Sequence, residues 1–301
     1  MRTMQSPKQP PRRHSKWRLA FFTACRNLTR ALGGRRFYRW SALRSERLVL
    51  REETVCAPEL PVQLEGFTVL HLSDIHAGPF LSGGDLAHLH ELLDGRIPDI
   101  LVVTGDFITD SYEDALPVIP ELGLLKTRLG GWAVFGNHDY RHHKHTLLRD
   151  RLAEHGIRCL QDEGERVADL PLWISGLNDL EETPRPDPTQ ARAKMAPGDV
   201  EIMLCHNPLG AKSLAQKACI AILSGHTHGR QIDLPWLRDL GPTHPGLSVS
   251  LGGTTLIVNR GLGVVGVPVR VRAPAEMVWI ELRRGHASEG RRTRIRRGSG
   301  S

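Results

Sequence analysis

Nowhere in the 301 residues does an apolar run reach the roughly 18 residues that a spanning helix requires. The N-terminal region also lacks an uninterrupted apolar stretch followed by a small-residue cleavage site, so export through an ordinary signal peptide is not expected. Cysteine is sparse: Cys25, Cys56, Cys159, Cys205 and Cys219 are five in number, widely spread and without a CxxC pair. That spacing suggests neither a disulfide framework nor a zinc knuckle, and it suits a reducing compartment. Acid is missing where base is plentiful. Residues 1–45 hold twelve Lys/Arg and no Asp or Glu, and residues 283–301 hold seven Lys/Arg against one acid. The net charge of +7 therefore conceals a body, residues 46–282, that carries −11. A nucleic-acid partner is disfavoured, because such a body repels a phosphate backbone. Internal repeats are absent too.

What is present divides into three parts. Residues 1–14 are rich in Pro, Arg and Lys and are expected to be disordered. From Lys16, the residues Trp17, Phe21, Ala24, Cys25, Leu28, Ala31 and Leu32 recur at helical spacing with Arg18, Arg26 and Arg30 between them, and Gly33-Gly34 should end that helix. Arg35-Arg36-Phe37-Tyr38-Arg39-Trp40 then alternates cations with aromatics. Two readings fit this arm, residues 1–45: a peripheral anchor on an anionic membrane surface, which is preferred, or a basic helix docked on its own domain. As an anchor, it should be removable without harm to the body.

The body, 46–282, opens with an extended stretch from Arg47 to Val55. Apolar runs Val69–Leu72, Ile100–Val103, Trp132–Phe135, Leu172–Ile174, Ile202–Leu204 and Ala221–Leu223 have the length of strands buried on both faces. Gly84–Leu93, Asp114–Leu125, Lys144–Glu154 and Ala211–Lys217 read as helices between them, which makes an α/β order. Leu247–Leu251, Thr255–Val258 and Met277–Leu282 are β-like without intervening helices, and they predict a second, more antiparallel sheet. Thr183–Gly198 reads as a surface loop or substrate-side flap, Leu234–Leu240 as an apolar lip or ordinary packing, and 283–301 as a basic disordered tail.

Chemistry gathers directly after the strand-like runs. Asp74 and His76 follow the first, and Asp106 follows the second behind Gly105. Asn137, His138 and Asp139 follow the third, His206 the fifth, and His226 and His228 the sixth. Each fragment alone is weak, since an isolated Gly-Asp is usually a turn and an isolated His a hydrogen-bonded core or surface residue. Their conjunction is specific. Oxygen and imidazole donors gathered at strand ends can hold two divalent cations a few ångströms apart, as in-line attack on a phosphate ester requires.

Together Asp-x-His, Gly-Asp, Gly-Asn-His-Asp, a lone His and Gly-His-x-His resemble the calcineurin-like metallophosphoesterase superfamily over roughly 65–282. The resemblance implies a four-layer α/β/β/α sandwich with two mixed sheets. It also implies that Asp74, His76 and His228 bind one metal, that Asn137, His206 and His226 bind the other, and that Asp106 bridges them. By the same resemblance His138 donates a proton to the leaving oxygen and Asp139 orients its ring, while a hydroxide held between the cations attacks phosphorus. The donor set favours Mn²⁺, with Fe²⁺ or Zn²⁺ also suited. Phosphoprotein phosphatases of the superfamily carry an Arg soon after Gly-Asp and a Gly-Asn-His-Glu, neither of which stands here.

The longer phrases Leu72-Ser73-Asp74-Ile75-His76, His226-Thr227-His228-Gly229-Arg230-Gln231-Ile232 and Val258-Asn259-Arg260-Gly261-Leu262-Gly263 resemble a bacterial branch of envelope-associated phosphoesterases. That branch includes YkuE-like and YaeI-like proteins and chlamydial-type UDP-2,3-diacylglucosamine pyrophosphatases of lipid A synthesis. The basic arm would hold the site at the cytoplasmic face of the inner membrane, where a lipid-linked or small phosphate substrate is reached, and Arg260, Arg270 and Arg230, on segments near the predicted site, are either candidates to pair with a second phosphate or solvated loop cations. A broader phosphodiesterase is the alternative. A non-catalytic scaffold of this fold should lack ligands or the proton donor, yet all eight positions are filled. No protein partner is called for.

Overall fold

A computed structural model describes residues 16–141, 145–183, 186–236, 242–286 and 293–298. Its strands are β1 (Val49–Ala57), β2 (Thr68–Leu72), β3 (Ile100–Thr104), β4 (Gly131–Val134), β5 (Ile157–Cys159), β6 (Glu163–Arg166), β7 (Leu172–Gly176), β8 (Val200–Leu204), β9 (Cys219–Ser224), β10 (Ser248–Leu251), β11 (Thr254–Val258), β12 (Glu276–Arg284) and β13 (Arg294–Arg297). One sheet has the order β13-β1-β12-β2-β3-β4-β5 and the other β10-β11-β9-β8-β7-β6. The apolar strands serve two interfaces at once. Val69, Ile100, Val102, Trp132 and Val134 of the first sheet pack against Ile174, Ile202, Leu204, Leu223 and Ile257 of the second. Their neighbours Leu70, Leu72, Leu101, Val103 and Phe135 point the other way, toward Leu122, Leu148 and Leu152. On the far side of the second sheet, Met203, Ile222 and Leu256 cover Ala211 and Leu214. Alternation at period two with both faces apolar yields the expected α/β/β/α sandwich of two mixed sheets.

β2, β3 and β4 are mutually parallel, as are β8, β9 and β11. All the candidate ligands therefore leave strands at carboxyl ends, the usual place for a site in open α/β sheets. The late strands do not form a sheet of their own. β10 and β11 extend the second sheet, β11 lying parallel to β9, while β12 enters the first sheet parallel to β1 and antiparallel to β2.

Helices are α1 (Lys16–Ala31), α2 (Gly34–Tyr38), α3 (Tyr112–Ala115), α4 (Ile119–Gly123), α5 (Asn137–Arg141), α6 (His145–Ala153), α7 (Pro188–Ala191) and α8 (Ala211–Leu214). Several are shorter than their sequences suggested. Pro117 and Pro120 divide Asp114–Leu125 into α3 and α4, since proline interrupts a helix but suits its first turn. In Gly84–Leu93 only Leu89–Leu93 is helical, as a 3-10 turn. The carboxylates of Asp85 and Glu121 bind the amides of Ser82, Gly84 and Leu86 and compete with the helix ladder. From Asp187 the supposed flap is packed down: Asp187 caps α7, Ala191 is buried and accepts a bond from Trp173 Nε1, and Arg192 pairs with Glu201. Trp236 is 75% exposed, so packing is not its role. The stretches 1–14, 142–143 and 237–240 fall outside the described residues.

Both arms need correction. Arg294–Arg297 form β13, antiparallel to β1, so the C-terminal segment is not wholly disordered. At the N-terminus, α1 ends before Gly33 as expected, but α2 and the π-turn Arg39–Leu43 are built into the body. Tyr38, Ala42 and Leu43 are buried in the core beside Phe80 and Leu262, and Arg35 pairs with buried Asp85. Residues from Gly34 to Leu43 thus pack against the body. Phe37 and Trp40 still face outward, together with Leu28 of α1 and Leu32 just after it. No helix among the described residues is long and apolar enough to cross a membrane.

Candidate metal centre

Left-handed backbone marks the site before any side chain is considered. Asp74, His76, Asp106, His226 and His228 all have φ between +46° and +67°. Asp and His tolerate that region better than most residues, yet five such residues converging on one place indicate strain held by surrounding structure. Close backbone approach adds to it, because a Cβ on Gly136 would strike Asp106 Oδ1.

The side chains form interlocking clusters. Asp74, His76 and His228 each bring a donor atom within 4.8 Å of the others, as do Asp74, Asp106 and His206, and His76, Asp106 and His138. His76 Nε2 lies 3.1 Å from His228 Nε2, and His228 Nε2 lies 3.4 Å from Asp74 Oδ1. Asp106 Oδ2 is 3.4 Å from His76 Nε2 and 3.3 Å from His206 Nε2, so one carboxylate oxygen faces both predicted ligand groups. His226 Nδ1 lies 3.2 Å from Asn137 Oδ1, and its ring is edge-on to that of His206. The structure therefore brings together all seven residues named from the sequence as ligands.

Donor chemistry tests whether cations fit. His206 Nδ1 lies 2.6 Å from the Thr104 carbonyl, which can only accept, so Nδ1 carries a proton. Its Nε2 is buried, has no hydrogen-bond partner and faces Asp106. This is how a ligating imidazole is held, with one nitrogen bound to an acceptor and the other free for a metal. Burial opposes a charge on His206, but Asp106 and Asp74 hold it well above the ordinary histidine value. Burial would likewise raise Asp106, yet His206 and His138 bring it well below the carboxylate range. The cluster calls for positive charge at its centre, which two divalent cations would supply. Imidazole and carboxylate donors without thiolate fit such ions.

His138 sits at the edge of this centre. Nδ1 lies 2.9 Å from the Thr109 carbonyl and is protonated, its ring meets His76 edge-on at 4.8 Å, and Nε2 is left for proton transfer. Asp139 does not orient that ring. Its carboxylate accepts the amides of Phe107, Ile108 and Gly136 at 2.9–3.2 Å, tying the Asp106 loop to the turn that carries Asn137. Burial, with His76 and Arg141 adding to it, lowers His138 to about 4 despite the opposing effect of Asp106. An arriving phosphate anion would raise that value.

The three arginine candidates are differently placed. Arg260 is buried and spends its guanidinium on Glu276, and Arg270 spends its own on carbonyls and Tyr38. Arg230 pairs with Asp233. None is a free phosphate clamp in this arrangement. Sequence reasoning passed over Glu181, whose Oε1 lies 3.3 Å from His226 Nε2 and accepts from Asn207 Nδ2, and Arg141, whose guanidinium is 3.4 Å from His138 Nε2. Glu181 follows Gly176-Leu177-Asn178-Asp179 at the end of β7, a strand-end signal of the same kind as those that revealed the ligands.

The sequence pattern of calcineurin-like phosphoesterases matches residues 67–230, which include every one of these candidate ligands. The chain belongs to that family. It is 28% identical over 243 residues to the uncharacterized metallophosphoesterase YkuE of Bacillus subtilis, covering 77% of this chain and 84% of that protein. It is 30% identical to YkoQ of the same organism, an uncharacterized metallophosphoesterase, over 71% of this chain and 83% of that one. A transmembrane protein with metallophosphoesterase domain from Danio rerio is 34% identical, with 75% of this chain matched to 55% of that longer protein. Membership implies hydrolysis of phosphoesters with divalent metal ions.

Proposed function

We propose that this metallophosphoesterase hydrolyses a phosphodiester or pyrophosphate bond with two divalent ions, Mn²⁺ foremost, and that its substrate is UDP-2,3-diacylglucosamine at an anionic membrane surface. The observation that carries the dimetal reading is Asp106, whose one oxygen faces His76 of the first ligand group and His206 of the second. Ions bound there would neutralise phosphate oxygens and lower the pKa of an attacking water. The protein's own groups do the rest. Asp74, His76, Asp106, Asn137, His206, His226 and His228 would hold the ions, and His138, once protonated at Nε2 beside the substrate anion, would pass that proton to the leaving oxygen. Arg141, beside His138, is suited to the phosphate that leaves or stays.

Lipid presentation is supported by the outward face of the N-terminal segment. Leu28 and Leu32 are 62% and 77% exposed, Phe37 and Trp40 about half exposed, and Arg30, Arg36 and Arg39 are exposed beside them. Apolar groups flanked by arginine suit a peripheral attachment to anionic headgroups. The choice of nucleotide lipid rests on the longer phrases around Asp74, His226 and Asn259. Its test is Mn²⁺-dependent release of UMP from UDP-2,3-diacylglucosamine, with Asp106→Asn as control. Rapid release that the substitution abolishes is expected. Cleavage of bis(p-nitrophenyl) phosphate without UMP release would discard this substrate and favour the broader phosphodiesterase.

A further inference from the structure

One residue of the N-terminal segment is linked to the candidate metal centre through Arg270 and the turn behind it. Tyr38 is fully buried, its hydroxyl donates to the Leu262 carbonyl, and it accepts from Arg270 Nε at 3.1 Å. Arg270 continues the chain of contacts. It donates to the carbonyls of Arg260 at 2.9 Å, Ala273 at 3.0 Å and Gly263, and its Nη2 lies 3.4 Å from Nδ1 of His228.

The turn held in this way is wedged against the first ligand group. The Leu262 amide donates to the Ser73 carbonyl at 3.1 Å, and the Gly263 amide to the Asp74 carbonyl at 2.7 Å. A Cβ on Gly263 would collide with the Ile75 carbonyl, so the two backbones touch with no side chain between them. Asp74 and His76 both hold left-handed backbone angles, which persist only while neighbouring structure enforces them. The Tyr38 hydroxyl and the Arg270 fork are the outer supports of the turn that does so.

We propose that Tyr38 and Arg270 are positioning residues of the metal centre, fixing the turn 259–263 against Asp74 and His76. On this account the segment from Gly34 to Leu43 is a working part of the active site. The inference rests on the dimetal reading for its activity readout, but not on any choice of substrate or on membrane attachment.

The test uses full-length Tyr38→Phe, which keeps the ring and removes only the hydroxyl, and Arg270→Lys, which keeps the charge and removes the fork. Leu43→Ala is the control, a buried residue of the same segment whose apolar side chain makes no hydrogen bond to the turn. Mn²⁺ affinity is measured by calorimetry and turnover with bis(p-nitrophenyl) phosphate. Tyr38→Phe and Arg270→Lys should each weaken Mn²⁺ binding about tenfold and lower kcat with KM little changed, as loss of groups that support ligands does. Leu43→Ala should lower the melting temperature at least as far while leaving Mn²⁺ affinity as in the wild type. Unchanged Mn²⁺ affinity in Tyr38→Phe, or an equal loss of affinity in Leu43→Ala, would overturn the proposal. If the wild type binds Mn²⁺ but cleaves no ester, the calorimetry still decides it and only the activity reading fails.

Discussion

At the scale of single residues, the proposed centre separates groups that would hold cations from one that would handle a proton. His138 belongs to the second kind, because its Nδ1 is bound to the Thr109 carbonyl and only Nε2 is left to work. His138→Ala should therefore slow turnover by about 10²–10⁴-fold while Mn²⁺ still binds; loss of the metal would make His138 a ligand instead. The convergence of these donors was legible in the sequence because each follows a strand with Gly or a short polar residue beside it, and the strands determine where donors meet. The roles of Arg260, Arg270 and Asp139 were not legible. Nothing in the local text of Arg260 announces that Glu276, sixteen residues away, will occupy its guanidinium, and Asp139 binds two amides of the Asp106 loop and one of its own turn.

At the scale of elements, β12 decides more than its apolar pattern suggested. It lies between β1 and β2, and its first residue, Glu276, is buried between Arg51 of β1 and Arg260 of the turn that backs Asp74. Burial would raise the Glu276 carboxyl, but Arg51 and Arg260 hold it below the ordinary value of 4.5. A carboxyl depressed on folding contributes stability that is present above 4.5 and lost as pH falls through its lower folded value. Glu276→Gln should destabilise the fold by about 3–5 kcal/mol near neutrality, since it removes the carboxylate of buried Arg260 and leaves Arg51 with Glu53 alone. It should also flatten the loss of melting temperature on acidification. A variant as stable as the wild type would show that the pair contributes nothing. Strand positions were readable because buried runs are short and apolar, whereas partner strands were not: β10, β11 and β12 look alike in text, yet β10 and β11 join the second sheet and β12 the first.

At the scale of the whole molecule, charge and apolar exposure are segregated onto the N-terminal segment and the acidic body. The sequence made residues 1–45 one arm, because its lack of acid is uniform. Packing divides that stretch near Gly34, where side chains begin to enter the core. Removing residues 1–33 should release the protein from anionic vesicles, more readily as salt rises, and leave hydrolysis of a soluble ester intact. Removing residues 1–45 should abolish that hydrolysis as well, because Tyr38, Ala42 and Leu43 go with it; equal activity in both truncations would place the boundary back at 45. The central claim, two cations sharing Asp106, is tested most directly by the number of Mn²⁺ ions bound per chain, counted in wild type and Asp106→Asn protein alongside turnover of bis(p-nitrophenyl) phosphate. Two ions in the wild type, with loss of at least one ion and of turnover in Asp106→Asn, is the predicted result. A single ion in the wild type, or full turnover in the variant, would contradict it.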